Sequence, residues 1–163
     1  MPIVLARIDD RLIHGQIVVG WVKFTGANRI ILANDEVAED ALLCNLIEVI
    51  VPPEIKASVH AVGDAAQEVR SSDKKERIIV IFSSPGDALR FVQQGINLKS
   101  INLGGMKFSP GKRQILRWIS IGQEDVKYLE ELQRMGIELE ARAVPTDKQI
   151  KIEEYLKDGW DKM

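Results

Sequence analysis

The sequence predicts an α/β protein, an open and mostly parallel sheet of about seven strands with helices on both faces. Three observations predict it. Short β-branched runs alternate with segments of helical period along the whole chain, and such alternation implies right-handed crossovers between parallel strands. The run 77–82 is continuously apolar after its arginine, as a central strand covered on both faces must be. Finally, 163 residues with 45% hydrophobic and 28% charged side chains have the length and balance for one ordinary core.

The elements follow in order. Residues 3–8 read as the first strand. A helix over 16–24 carries Ile17, Val18, Trp21 and Val22 as one apolar stripe. Strand 29–33 leads to a helix over 39–50, whose stripe is Leu42, Leu46, Val49 and Ile50 and whose stop is Pro52-Pro53. Residues 56–62 form a third strand, and 71–76 a solvated turn between a helix and the strand 77–82. Ser84 then caps a helix, with Pro85 at its first position, Asp87 completing a capping-box pattern and Gly95 beyond its end. Strands are expected at 100–103 and 117–121. A helix over 123–135 presents Val126, Leu129 and Leu132 and closes at Gly136. Strand 137–143 comes next, and Thr146-Asp147 caps a last polar helix reaching about residue 158. No linker or repeat divides the chain, so residues 1–163 are expected to form a single domain.

Composition excludes several classes of function. A formal charge of −2 and a pI near 5.8 argue against a nucleic-acid surface, which needs a basic face. Cys44 is the only cysteine, so neither an intrachain disulfide nor a multi-cysteine metal site can form. The N-terminus lacks the pattern of a signal peptide, and apolar runs stay well short of the ~20 residues of a membrane span. A cytoplasmic soluble protein is expected. No G-x-x-x-x-G-K-[ST] motif calls for a nucleotide, and no metal or cofactor is implied.

In a parallel sheet ligands bind at the carboxyl ends of strands, so the chemistry is sought in the loops after them. The first such loop, Asp9-Asp10-Arg11-Leu12-Ile13-His14-Gly15-Gln16, gathers two carboxylates, a guanidinium and an imidazole ahead of a helix N-terminus. Free N–H groups and the helix dipole there favour phosphate. Arg11 adds a fork able to hold it bidentately. His14 supplies a nitrogen nucleophile, while Asp9 or Asp10 can hold one ring nitrogen and leave the other free. Gly15 allows close backbone approach. Together these describe a histidine that accepts and releases a phosphoryl group. The competing account is a hydrogen-bonding histidine in a loop tied by an Arg–Asp pair.

Elsewhere, Ser83 and Ser84 follow the central strand and can reach the same crevice, although helix capping by Ser84 competes. Gly15, Gln16, Ser83, Ser84 and Gly104 are the candidate phosphate contacts. Asn34 and Asp35 end the second strand, where they can bond the active loop or form a turn. Lys107, Lys112 and Arg113 lie in a Gly- and Pro-containing loop and are candidates for docking a partner. With Arg11, they are expected to rim His14 if the first and fifth strands are neighbours. His60 reads as structural, Cys44 as a packing residue, and Trp21 and Trp118 as core aromatics. Trp160 suits either packing of the last helix or an interface.

The run from Arg7 to Gln16 resembles the active-site signature of the IIB component of the mannose/fructose/sorbose-type sugar phosphotransferase system. The resemblance continues in Asn34-Asp35-Glu36-Val37-Ala38, Asn102-Leu103-Gly104-Gly105-Met106 and Val144-Pro145-Thr146-Asp147, so it spans nearly the whole chain in the family's order. It implies an open parallel α/β sheet and a cytoplasmic phosphocarrier. His14 would take phosphate from the phosphohistidine of a IIA partner and pass it to a sugar entering through membrane-embedded IIC and IID subunits. The chain is too short to include a fused IIA domain, which implies a separate donor. Ser83-Ser84 stands where other small polar pairs are common in the family, leaving open which side chains assist the phosphate. A regulatory phosphoprotein on the same fold, signalling phosphorylation state to a partner, is the alternative reading.

Overall fold

The computed structural model describes residues 2–15 and 17–157. Seven strands form one sheet in the order β3-β2-β4-β1-β5-β8-β9. They are β1 (Ile3–Asp9), β2 (Arg29–Ala33), β3 (Lys56–His60), β4 (Ile78–Phe82), β5 (Ser100–Gly105), β8 (Glu138–Ala141) and β9 (Ile150–Lys151). All neighbours run parallel except β9, which pairs antiparallel with β8. The expected open sheet with helices on both faces is present.

β2 and β4 are buried throughout because alternate residues enter two different cores. Ile30, Leu32, Ile79 and Ile81 meet Ile17, Trp21 and Ile47 on one face. Ile31, Ala33, Ile78, Val80 and Phe82 pack on the other beneath α4 (Val62–Arg70), α5 (Pro85–Val92) and α6 (Gln123–Arg134). The first face carries α1 (Val22–Thr25), α2 (Asp35–Ala38) and α3 (Ala41–Ile50). Ser84 caps α5 as expected, its Oγ accepting from the Asp87 N–H at 3.2 Å. Helix α4 lies ahead of the 71–76 turn, where the sequence implied a helix without placing it. The turn is solvated as expected, with 71 and 73–75 exposed, and its Glu76 pairs at 2.9 Å with the buried Arg29.

Three expectations need correction, and one needs its direction added. Residues 117–121 are not a strand of the main sheet: β6 (Arg113–Leu116) and β7 (Ile119–Ile121) make a separate antiparallel hairpin inserted after β5. Alternation alone cannot tell a hairpin from a sheet strand. The polar segment after Thr146 forms β9 and only then a short helix, α7 (Glu153–Lys157); its remainder and Trp160 fall outside the described residues. The helix expected over 16–24 begins as a π-helical turn, Ile17–Trp21, before α1. In α3 the stripe Leu42, Leu46, Val49 and Ile50 faces solvent, and the buried residue is Ile47.

The strand order positions the site. The chain leaves β1 toward β2 on one side and leaves β5 toward β8 on the other, although β1 and β5 are neighbours. Their carboxyl ends therefore open into a crevice at a reversal of direction, where such sheets bind ligands. The π-helical turn adjoining it is a backbone irregularity often found at functional sites.

Candidate functional site

Side-chain alternation along β1 sends Ala6 and Ile8 into the large core and Arg7 and Asp9 to the opposite face. Both charged residues are fully buried. Asp9 is the hub. Its Oδ2 accepts from Arg7 Nη2 at 3.0 Å and Arg11 Nη2 at 2.9 Å, and its Oδ1 accepts from the Arg11 N–H at 3.0 Å and Arg11 Nε at 2.9 Å. Burial alone pushes a carboxyl pKa up, but the Arg11 hydrogen bonds and the Arg7 charge prevail and hold Asp9 below the ordinary carboxylate range.

The loop then turns sharply. The Leu12 N–H donates to the Asp9 carbonyl at 3.0 Å, and Leu12 sits at φ 65°, a left-handed conformation uncommon for a branched residue. Such conformations gather at working sites, where the surrounding contacts maintain them. The turn returns His14 to the carboxylate: Nε2 is buried and lies 3.6 Å from Asp9 Oδ2. The ring as a whole keeps 27% of its side-chain surface open. Burial, followed by the Arg11 charge, lowers the His14 pKa below its ordinary 6.5 despite Asp9. The imidazole is therefore neutral at physiological pH. Its NMR titration should show a midpoint below 6.5, with nucleophilic capacity persisting into mild acid; a midpoint above 6.5 would contradict this balance.

Arg11 differs from expectation in which atoms it offers. Nε and Nη2 are committed to Asp9, and Nη2 also donates to the Gly104 carbonyl at 3.1 Å. The bidentate fork is occupied. Among the described residues nothing hydrogen-bonds Nη1, and the side chain is 45% exposed, so one arm reaches outward.

Behind this loop lies a buried polar network. Arg7 Nη1 donates to Asn102 Oδ1 at 2.6 Å and to the Arg142 carbonyl at 3.0 Å, and Nη2 donates to the Ala143 carbonyl at 3.1 Å. Asn102 donates in turn to Glu140 Oε1 at 3.0 Å, and Glu140 pairs with Arg142. Trp21 seals the network: the Arg7 and Arg142 guanidiniums lie 5.3 and 5.0 Å from its ring centroid. Burial lowers the Arg7 pKa, while the charge and hydrogen bond of Asp9 oppose that shift. Gly104 exists for this residue, because a Cβ there would stand 1.9 Å from Arg7 Cζ. The sequence reading missed Arg7, Asn102, Glu140 and Arg142 as parts of the site. The available signal was polar residues at alternate positions of apolar strands, 7 and 9 in β1 and 140 and 142 around β8, with Asn102 between them in β5.

The remaining candidates separate. Asp10 ties the loop to β5 and beyond: its N–H donates to the Gly105 carbonyl at 3.1 Å, and its Oδ2 accepts from the Lys107 N–H at 2.7 Å. Asp9, then, is the acid that faces the ring. Ser83 is held by Asn34 at 2.7 Å and Asp87 at 3.0 Å, and Ser84 caps α5, so among the described residues neither hydroxyl is bonded to the His14 loop. Asn34 caps α2, while Asp35 receives the Val62 N–H and pairs with Arg90. Gly15 is exposed with open space beside its Cα, and Gln16 lies outside the described residues. Lys107 is exposed beside Asp10, Lys112 is drawn 3.6 Å from Asp125 on α6, and Arg113 lies in the β6 hairpin. His60 is bonded to Ser58 on β3, at the far end of the strand order from β5.

The same chain is recognisable among known proteins. Residues 3–162 match the family described as PTS system sorbose subfamily IIB component. The chain is 35% identical over 159 residues to the sorbose-specific EIIB component of Klebsiella pneumoniae, covering 97% of each. It is 40% identical over 160 residues to the mannose-specific EIIAB component of Escherichia coli K12, covering 96% of this chain but only 49% of that protein. The chain thus spans about half the length of that mannose-specific relative. The crystal structure of the IIBSor domain of the Klebsiella pneumoniae sorbose permease superposes with a TM-score of 0.90 at 35% identity over 98% of both chains. No helix among the described residues is long and apolar enough to cross a membrane. The chain belongs to the sorbose subfamily of IIB components of the phosphotransferase system, a family of phosphocarriers in sugar transport.

Proposed function

We propose that this chain accepts a phosphoryl group from the phosphohistidine of a IIA protein onto His14, then gives it to a sugar entering through membrane-embedded IIC and IID subunits. One observation supports this reading above the others: a half-buried, neutral imidazole has one nitrogen sheltered against Asp9 and Arg11 at its side. Nε2 is enclosed, so Nδ1 is the nitrogen left to attack. The Asp9 carboxylate favours the tautomer with its proton on Nε2 and stabilises positive charge on the ring as the new bond forms. An Nδ1–P bond forms while the donor's N–P bond breaks, and the donor imidazole departs with its electron pair. In the second transfer a sugar hydroxyl attacks phosphorus and gives its proton to solvent water, while the Nδ1–P bond breaks and His14 departs with the electron pair as a neutral imidazole. Arg11 Nη1 faces the equatorial oxygens, where charge develops.

The test is phosphotransfer from purified phosphorylated IIA, followed by sugar phosphorylation in membranes carrying IIC and IID. The phosphoprotein should be acid-labile and base-stable, as a phosphoramidate is; a base-labile, acid-stable product would point to serine and overturn the assignment. Arg11→Lys should fold yet transfer about 100-fold more slowly, since one ammonium cannot both hold Asp9 and reach phosphate. An unchanged rate would reduce Arg11 to a loop tie. At the rim, Lys107→Ala with Lys112→Ala should lower the association rate with IIA at low salt and leave the transfer step intact. Most of that effect belongs to Lys107, because Lys112 already has a carboxylate beside it. A salt dependence matching the unaltered chain would remove this loop from the docking surface.

A further inference from the structure

Exposed apolar surface is concentrated on one layer of the molecule. Of the eight large hydrophobic residues exposed among the described ones, Val19, Phe24, Leu42, Leu46, Val49 and Ile50 belong to the π-helical turn, α1 and α3. These elements pack on the same face of the sheet. The four on α3 recur at helical spacing and are 51–81% exposed, while Ile47 and Leu43 supply the helix's inward contacts. An unbroken apolar stripe of this kind on a surface helix marks an interaction site.

The segment that carries α3 is acidic, with exposed Lys23 on α1 and Lys56 at the start of β3 in the neighbouring elements. Residues 34–55 include six carboxylates and no Lys, Arg or His. Asp35 is paired with Arg90, whereas Glu36, Glu39, Asp40, Glu48 and Glu54 are exposed.

We propose that the outer face of α3 docks an apolar protein surface rimmed by Lys and Arg, on the cytoplasmic side of a membrane-embedded subunit. The proposal rests on the phosphocarrier reading and names where that partner grips. Charge decides among the possible occupants. An anionic lipid surface is repelled by five exposed carboxylates. A second copy of this chain, meeting patch to patch about a two-fold axis, would set one acidic rim against another. Cytoplasmic loops of membrane proteins carry an excess of Lys and Arg, which complements the rim. Position agrees, since α3 starts beyond the carboxyl end of β2, the same edge of the parallel sheet from which the His14 loop emerges.

The experiment compares the unaltered chain with a Leu42→Gln, Leu46→Gln, Val49→Gln variant. All three positions are exposed, so thermal unfolding should be little changed. Two readouts are taken: labelling of His14 by phosphorylated IIA, and the concentration that half-saturates sugar phosphorylation in membranes carrying IIC and IID. Labelling should be unchanged, while the half-saturating concentration rises about tenfold or more. Co-sedimentation with membranes containing or lacking these subunits reads docking without any phosphate, and binding should need the subunits and weaken with salt. Failure to label His14 in the unaltered chain would sink the phosphocarrier reading, with co-sedimentation still deciding the docking face. Equal saturation and equal co-sedimentation by the variant would overturn the proposal. So would a joint loss of labelling, which places IIA on α3, or binding to membranes without the subunits, which indicates lipid. A dimer abolished by the variant with transfer intact would assign the face to self-association.

Discussion

His14→Ala should take up no phosphate from phosphorylated IIA, and His60→Ala should take up as much as the unaltered chain. This is the largest effect expected, because no neighbouring group among the described residues can replace the proposed nucleophile. Asp9 is buried and accepts four hydrogen bonds, and Asp10 is occupied by the Lys107 N–H. Ser83 and Ser84 are engaged at the start of α5. His60 is bonded to Ser58 on a strand separated from β1 by β2 and β4. Mass spectrometry of the intact chain at alkaline pH reads the result directly. Full labelling of His14→Ala would end the assignment, and loss of labelling in His60→Ala would move the acceptor to β3.

The second large effect is Gly104→Ala, a single methyl far from solvent. That methyl would occupy the space of the Arg7 guanidinium, at 1.9 Å from Cζ, and Arg7 cannot swing aside without giving up Asp9, Asn102 and two carbonyls. Losing one member of a buried ion pair commonly costs about 3–5 kcal/mol, because the other charge stays desolvated. Gly104→Ala should therefore lose about 3 kcal/mol or more of stability in chemical denaturation, and transfer should fall with it as Asp9 and Arg11 lose their settings. Arg7→Met with the glycine intact should show a comparable loss. A Gly104→Ala variant within about 0.5 kcal/mol of the unaltered chain would mean that the network repacks freely.

How far the sequence foretold this arrangement depended on the kind of pattern involved. Strand 77–82 was legible because a continuous apolar run has few homes other than a doubly covered strand. The nucleophile loop was legible because its polar residues are contiguous. Arg7 was not, since its significance comes from partners at 102, 142 and 143 that only the sheet brings near. The 117–121 segment shows a related limit, as β-periodicity is local while pairing is not. With Leu42, Leu46, Val49 and Ile50, spacing correctly reported one stripe but carried no information on what lies opposite.

The Arg7–Asp9–Arg11 cluster sets two guanidiniums against one carboxylate, and Arg11 keeps one arm outside that pairing, beside a neutral imidazole. With His14 as the acceptor, as proposed, an arriving phosphoryl group would meet that free arm while Asp9 keeps its two partners. The anion can then leave again without any ion pair having to be remade. A site arranged in this way would hold its cargo loosely enough to hand it on, which is what distinguishes a relay from a sink.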